Sequence, residues 1–240
     1  MTGNELIILL IPAVLAVMLL ALLSVERLLL LTLFLTPLSL QLSYLTGSAG
    51  FDLSVPTEPI MVLLLLITVF KLIVRREFPR ELLRHPVTLL IGIYLLWTLV
   101  TALTSTIPGG SFKTLAYRVW FTAGFYLLAA RLAYTEKFKR GYVIAYAAGL
   151  AVVIVYFIVR VQWAGLLNQQ FAHSACYPFY KDHTSFGASM AFIIPPLAVM
   201  LFSSGGLWRK GLLAALLVLF LAGFVLSYSR AAWVSLIVAA

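Results

Sequence analysis

Lys181, Asp182 and His183 stand in a row inside "YPFYKDHTSFGASMAFIIPP" (177–196), surrounded by apolar sequence, and His173 and Cys176 lie shortly before them. Three kinds of chemistry suit this set. Imidazole, thiolate and carboxylate are all zinc ligands, but the spacing follows no standard metal motif, so no metal site is assigned. His183, oriented by Asp182, suits general acid–base transfer, although neighbours on a helix project about 100° apart and adjacency alone makes no dyad. Third, Asp182, Thr184 or Ser185 can cap a helix by accepting from its free first-turn amides, and Asp182 also favours the positive helix end. Capping and ligand binding are compatible.

The elements that must position these residues follow from composition. Of 240 residues, 63% are hydrophobic and only 10% charged, with a mean hydropathy of +1.07. Soluble domains carry roughly 25% charged residues, so the chain reads as an integral membrane protein. Apolar runs such as "IMVLLLLITVF" lack the period-2 alternation of barrel strands and suit helices long enough to cross a bilayer. The fold class expected is all-α: a polytopic membrane helix bundle, about eight complete transmembrane helices plus the start of a ninth. The spans are expected near 5–23, 28–45, 59–74, 86–104, 113–134, 142–161, 185–203 and 211–228, the last beginning near Ala231. The first lacks a basic leader and a good cleavage site, so it reads as a retained span. No soluble domain, repeat or low-complexity tract interrupts 1–240, which reads as a single transmembrane domain. Pro195 and Pro196 fall mid-span, where a helix is expected to kink or break.

Alternate loops divide the basic residues unevenly. Twelve of the 17 Lys and Arg fall on one side, including Arg27, "VRREFPRELLRH" (74–85), Arg131, Lys137, Lys139, Arg140, Arg209 and Lys210. The positive-inside bias puts that side in the cytoplasm and the N-terminus outside. His85 lies in this inner segment and reads as structural. The net charge of +9 is therefore topology rather than nucleic-acid binding.

Five cations remain outside: Lys113, Arg118, Arg160, Lys181 and Arg230. Arginine at membrane depth is costly and faces protein or a water-filled cavity. Gathered by the bundle, these five would form an electropositive pocket suited to a lipid-linked phosphate or diphosphate, which the arginine fork binds with two parallel hydrogen bonds. The competing reading is snorkelling to headgroups. Arg118 in "LAYRVWF" and Arg230 in "SYSRAAW" are the most closely flanked by apolar residues.

Two stretches carry a family resemblance. "FYKDHTSFGASMAFIIPP" (179–196) and "FVLSYSRAAWVSLIVAA" (224–240) resemble the paired landmarks of the O-antigen ligase and polymerase superfamily. The first is most similar to O-antigen ligase family proteins of Bacteroidetes-type bacteria, and the second to the start of the shared ligase domain, which would begin near 224. The outer loop, about 162–184, and the span count agree with the resemblance. It implies a multi-pass protein of the bacterial inner membrane that takes a glycan from an undecaprenyl-diphosphate carrier at the periplasmic face. The acceptor would be lipid A-core for a ligase, or another lipid-linked glycan for a polymerase of O-antigen or exopolysaccharide. The reaction implied needs neither metal nor cofactor, and the partners are these lipid-linked substrates and membrane lipids, not nucleic acid. Arg230 matches the arginine expected to hold the diphosphate, while Asp182 and His183 match the Asp and His of the first motif. Only "AAWVSLIVAA" follows Arg230, about half a span, so the expectation is that the chain is the front portion of a longer protein, and the resemblance implies that the periplasmic loop carrying a catalytic histidine lies beyond it. A flippase or transporter for the same carrier is the alternative, favoured by a broken seventh span and opposed by the lack of paired repeats. A purely structural membrane scaffold is a third reading, and it leaves Arg118 and Arg230 without a role.

Overall fold

The computed structural model describes residues 24–41, 54–74, 80–133, 135–165 and 168–239. The span expected at 5–23 lies outside the described residues. In chain order the elements are α1 (Val25–Leu35), a 3-10 turn (Thr36–Leu38), β1 (Leu40–Gln41), β2 (Ser54–Val55), α2 (Thr57–Ile73), α3 (Arg80–Arg84), α4 (Pro86–Leu103) and α5 (Pro108–Phe121). A π-helical stretch (Thr122–Leu128) then runs into α6 (Ala129–Leu132), followed by α7 (Glu136–Ala164), α8 (Gln169–Ala175), α9 (His183–Phe202), α10 (Leu207–Leu226) and α11 (Arg230–Ala239). Apart from one antiparallel bridge pairing Leu40 with Val55 and Gln41 with Ser54, the regular structure described is helical.

Four helices are long and apolar enough to cross a membrane by length and composition: α4, α7, α9 and α10. The eight complete spans expected are therefore not reached among the described residues. The expected 28–45 span fails because its helix ends at Leu35, where Pro37 opens a 3-10 turn and the chain turns extended. Proline's missing amide and fixed φ stop an α-helix in this way. At 17 residues α2 sits at the lower limit of a spanning length, and in the expected 113–134 span α5 gives way at Thr122 to a π-helical stretch through which the backbone stays helical. In contrast, α9 runs unbroken through Pro195 and Pro196. Ile193, Ile194 and Leu197 are buried on either side of the two prolines, and this packing offsets the two lost helical bonds.

The chain forms two compact units, one of Met1–Thr32 with Glu58–Phe138, the other of Leu33–Thr57 with Lys139–Ala240. In the first unit, His85 caps α4 by accepting from the Val87 amide at 3.3 Å through Nδ1, with Pro86 preorganised at the first helical position. Leu89, Leu90, Ile93, Leu96, Trp97 and Leu103 are exposed along α4. Only 11% of that helix is buried within the structure, so its apolar surface needs an apolar surround.

The second unit holds the larger core, centred on Leu150, Ile154, Phe157, Phe186, Met190, Leu197 and Phe220. Its helices approach closely where side chains are small. A Cβ on Gly223 of α10 would lie 2.7 Å from Ile154 Cγ2 of α7. The helix α9 packs against both α10 and α11, which are joined by a tight turn at 227–229.

Candidate functional site

The site grows from the segment between α7 and α9. Asn168 caps α8 by accepting from the Phe171 amide at 3.1 Å, and α8 carries His173 onto α9. There the rings of His173 and His183 stack, with centroids 3.8 Å apart and planes inclined by 10°. Nε2 of His173 is buried with no hydrogen-bond partner among the described residues.

Asp182 is the N-cap of α9. Its Oδ1 accepts from the amides of Thr184 at 2.6 Å and Ser185 at 2.9 Å and from the Thr184 hydroxyl. Oδ2 accepts from the Ser185 hydroxyl at 2.9 Å. These donors, the Thr184 hydroxyl foremost and then the Ser185 amide, hold the carboxyl well below the usual carboxylate range. The carboxylate thus serves the helix end, and His173 is the group against the ring of His183.

Arg160 ties the connection down. Its Nη1 donates to the carbonyls of Tyr177 at 2.8 Å and Ala175 at 3.3 Å and to the Tyr156 hydroxyl at 3.2 Å. The guanidinium also lies 5.6 Å from the Phe171 and Tyr156 ring centroids. The Tyr156 hydroxyl in turn donates to the Tyr177 carbonyl. Arg160 therefore anchors the loop to α7. Cys176 is fully buried, with its thiol directed at the Tyr180 carbonyl at 3.7 Å. Burial pushes this thiol up to about 11, so it stays protonated at neutral pH and is a poor thiolate ligand or nucleophile. Among the described residues, no three His, Cys, Asp or Glu come together in a way that could hold a metal ion.

The two motif stretches meet. A Cβ on Gly187 would lie 2.8 Å from Ser229 Cβ and 3.0 Å from Ala232 Cβ. Gly187 stands four residues after His183, on the same face of α9. The turn that presents Ser229 is tight: Ser227 ends α10, and Tyr228 adopts a left-handed φ of 51°, an uncommon state for a residue with a side chain. The Ser227 hydroxyl donates to the Phe224 carbonyl at 2.7 Å, and the Trp233 indole donates to the same carbonyl at 3.2 Å. Ser229 is 1% exposed, and its hydroxyl has no partner among the described residues. Arg230 follows at once, exposed, as the first residue of α11.

The five expected pocket cations divide between the units. Arg160, Lys181 and Arg230 belong to the second unit and Lys113 and Arg118 to the first. Lys181 is exposed. Arg118 links two helices of the first unit: Nη1 donates to Thr98 Oγ1 at 2.7 Å, and the guanidinium lies 4.8 Å from the Tyr94 ring centroid. Lys113 lies 5.5 Å from the Tyr117 ring centroid. Sequence reasoning did not foresee the His173–His183 stack or the Gly187–Ser229 contact. The ten-residue separation of the histidines gives no periodic signal. The glycine lies in α9 and the serine in the turn before α11, and each looks ordinary alone. Compared with protein-family models, curated proteins and solved structures, the chain matches none.

Proposed function

We propose that this chain is a multi-pass inner-membrane glycosyltransferase of the O-antigen ligase kind. It would move a glycan from an undecaprenyl-diphosphate carrier to lipid A-core at the periplasmic face. One observation carries this reading: Gly187 of the first motif stretch abuts Ser229 of the second, so His183 and Arg230 belong to one end of the second unit. An arginine on the positive end of a helix is electrostatically unfavourable unless an anion sits there. The free amides of that first turn recruit the same anion. A diphosphate leaving group meets both demands.

In the reaction, an acceptor hydroxyl attacks the anomeric carbon of the donor sugar while the bond from that carbon to the diphosphate oxygen breaks. The proton of the hydroxyl passes to a base, and His183 is the candidate, its ring held by His173. Arg230 stabilises the charge that develops on the leaving diphosphate. Arg140 and Arg209 line the opposite end of the same unit, and the positive-inside bias assigns that end to the cytoplasm. The same chemistry with a lipid-linked glycan as acceptor describes a polymerase. The flippase alternative drew on a broken seventh span, and the continuity of α9 removes that support.

The test is acceptor-dependent release of the carrier. Membranes containing the expressed chain are supplied with an undecaprenyl-diphosphate-linked glycan, with and without lipid A-core. Free undecaprenyl diphosphate appearing only with acceptor is the expected result. Carrier crossing the membrane with its glycan still attached would replace transfer by transport.

A further inference from the structure

We infer that the cavity at the Arg140 end of the second unit is a binding site for the phosphate headgroup of an anionic phospholipid. This rests on the chain lying in a membrane and not on the transfer reaction. The cavity, about 270 Å³, is formed where the start of α7, the end of α9 and the start of α10 converge. At about 30 Å³ for each water, it has room for a phosphodiester with its glycerol carbons.

Its lining is chemically divided. Among the described residues, Arg140 and Arg209 are the charged ones lining the space and no carboxylate joins them, while Ile144, Met200, Leu212 and Leu213 make an apolar wall. Neither guanidinium has a hydrogen bond, ion pair or ring contact among the described residues. Both forks are thus available for bidentate contact with phosphate oxygens. Gly206 caps α10 without a side chain, leaving the first-turn amides of that helix to add to the positive potential.

The wall argues for a lipid over free phosphate. Ile144 and Leu212 are 45% and 66% exposed, so they continue the cavity onto the outer faces of α7 and α10, where an acyl chain would lie. Trp208 and Phe202 are exposed at the same end, and tryptophan is favoured at headgroup depth. A basic recess between membrane helices on the cytoplasmic side is a setting in which acidic lipids bind.

The experiment measures retained lipid. The expressed protein is equilibrated in mixed micelles with phosphatidylglycerol and phosphatidylcholine, and bound lipid is counted by native mass spectrometry. Wild type is expected to keep phosphatidylglycerol. Arg140→Gln with Arg209→Gln should weaken it about thirtyfold, at about fivefold for each cation. Lys137→Gln with Lys139→Gln removes the same charge outside the cavity and should leave binding within about threefold. Gly205→Phe is the second probe. Gly205 lines the cavity and a side chain there meets open space, so the ring should exclude the lipid with both arginines intact. Equal losses in the two double variants, or undiminished binding in Gly205→Phe, overturn the proposal. Displacement by millimolar inorganic phosphate as effectively as by phosphatidylglycerol also overturns it, because the site would then take the free anion.

Discussion

The rings of His173 and His183 lie face to face, centroids 3.8 Å apart, although one belongs to a short connecting helix and the other begins a long apolar one. The stack fixes the plane of the His183 ring. In the proposed chemistry His183 carries the proton and His173 is a positioning residue. Removing a general base costs about 10²–10⁴ in rate, so His183→Phe should lose transfer by that order with normal membrane abundance. His173→Phe preserves a stacking ring and removes a buried nitrogen that has no partner among the described residues. It should retain the rate within about threefold, whereas His173→Ala, which frees the His183 ring, should lower it more. Transfer rates on the three variants check this order, and a His173→Phe as inactive as His183→Phe would make His173 chemical rather than positional.

The contact between Gly187 and Ser229 tolerates no extra carbon. In Gly187→Ala the new methyl meets the Cβ of Ser229 in the turn at 2.8 Å and that of Ala232 on α11 at 3.0 Å, and neither can swing away without its backbone. Overpacking of this kind costs about 1–3 kcal/mol, and thermal unfolding in detergent should fall accordingly. Ser229→Ala serves as the companion. It removes a buried hydroxyl that has no partner among the described residues, so stability should hold or rise slightly. A loss of transfer in Ser229→Ala at full stability would assign that hydroxyl to the substrate.

Arg160 anchors the segment that carries His173. Its fork reaches two carbonyls and a hydroxyl, a geometry that a lysine point charge does not reproduce. Hydrogen bonds from charged donors are worth about 1.5–3 kcal/mol, so Arg160→Lys should lose roughly half of that and Arg160→Ala about all of it. The measurement is hydrogen exchange across 168–182, which should speed up in both variants while α10 stays protected. Unchanged exchange in Arg160→Ala would return Arg160 to the list of ligand-facing cations.

Asp182 gives a pH dependence. Its folded carboxyl is held low by hydrogen bonds, so its contribution to stability is fully present above the ordinary carboxylate value near ~3.9. That contribution fades as the pH falls below it. Near neutral pH Asp182→Ala should cost about 1 kcal/mol, as for loss of an N-cap, while Asn, itself a good cap, should cost little. The Asp182→Asn variant should also show a flatter loss of melting temperature between about pH 5 and 3 than wild type, which a pH series of thermal melts would reveal.

How much of this was legible in the sequence varies by element. The long apolar runs announced α4, α9 and α10 to within a few residues, because a helix in an apolar surround is specified mainly by length and composition. The Asp182 cap was also visible, since capping is local. What escaped the sequence was partly local and partly set by tertiary partners. The run from 28 to 45 looked continuous, yet Pro37 stops it. The pair Pro195–Pro196 looked like a break, yet buried packing carries the helix through. The anchoring contacts of Arg160 were not visible either, because its carbonyl partners lie 15 and 17 residues further along.

The central claim is that the end of the second unit bearing His183 and Arg230 transfers a lipid-linked glycan. The most direct measurement expresses the gene in a strain lacking its own O-antigen ligase, compares wild type with Arg230→Ala at equal membrane abundance, and displays lipopolysaccharide on a gel. The account predicts a restored long-chain ladder for wild type and core alone for Arg230→Ala. A full ladder from Arg230→Ala would contradict it.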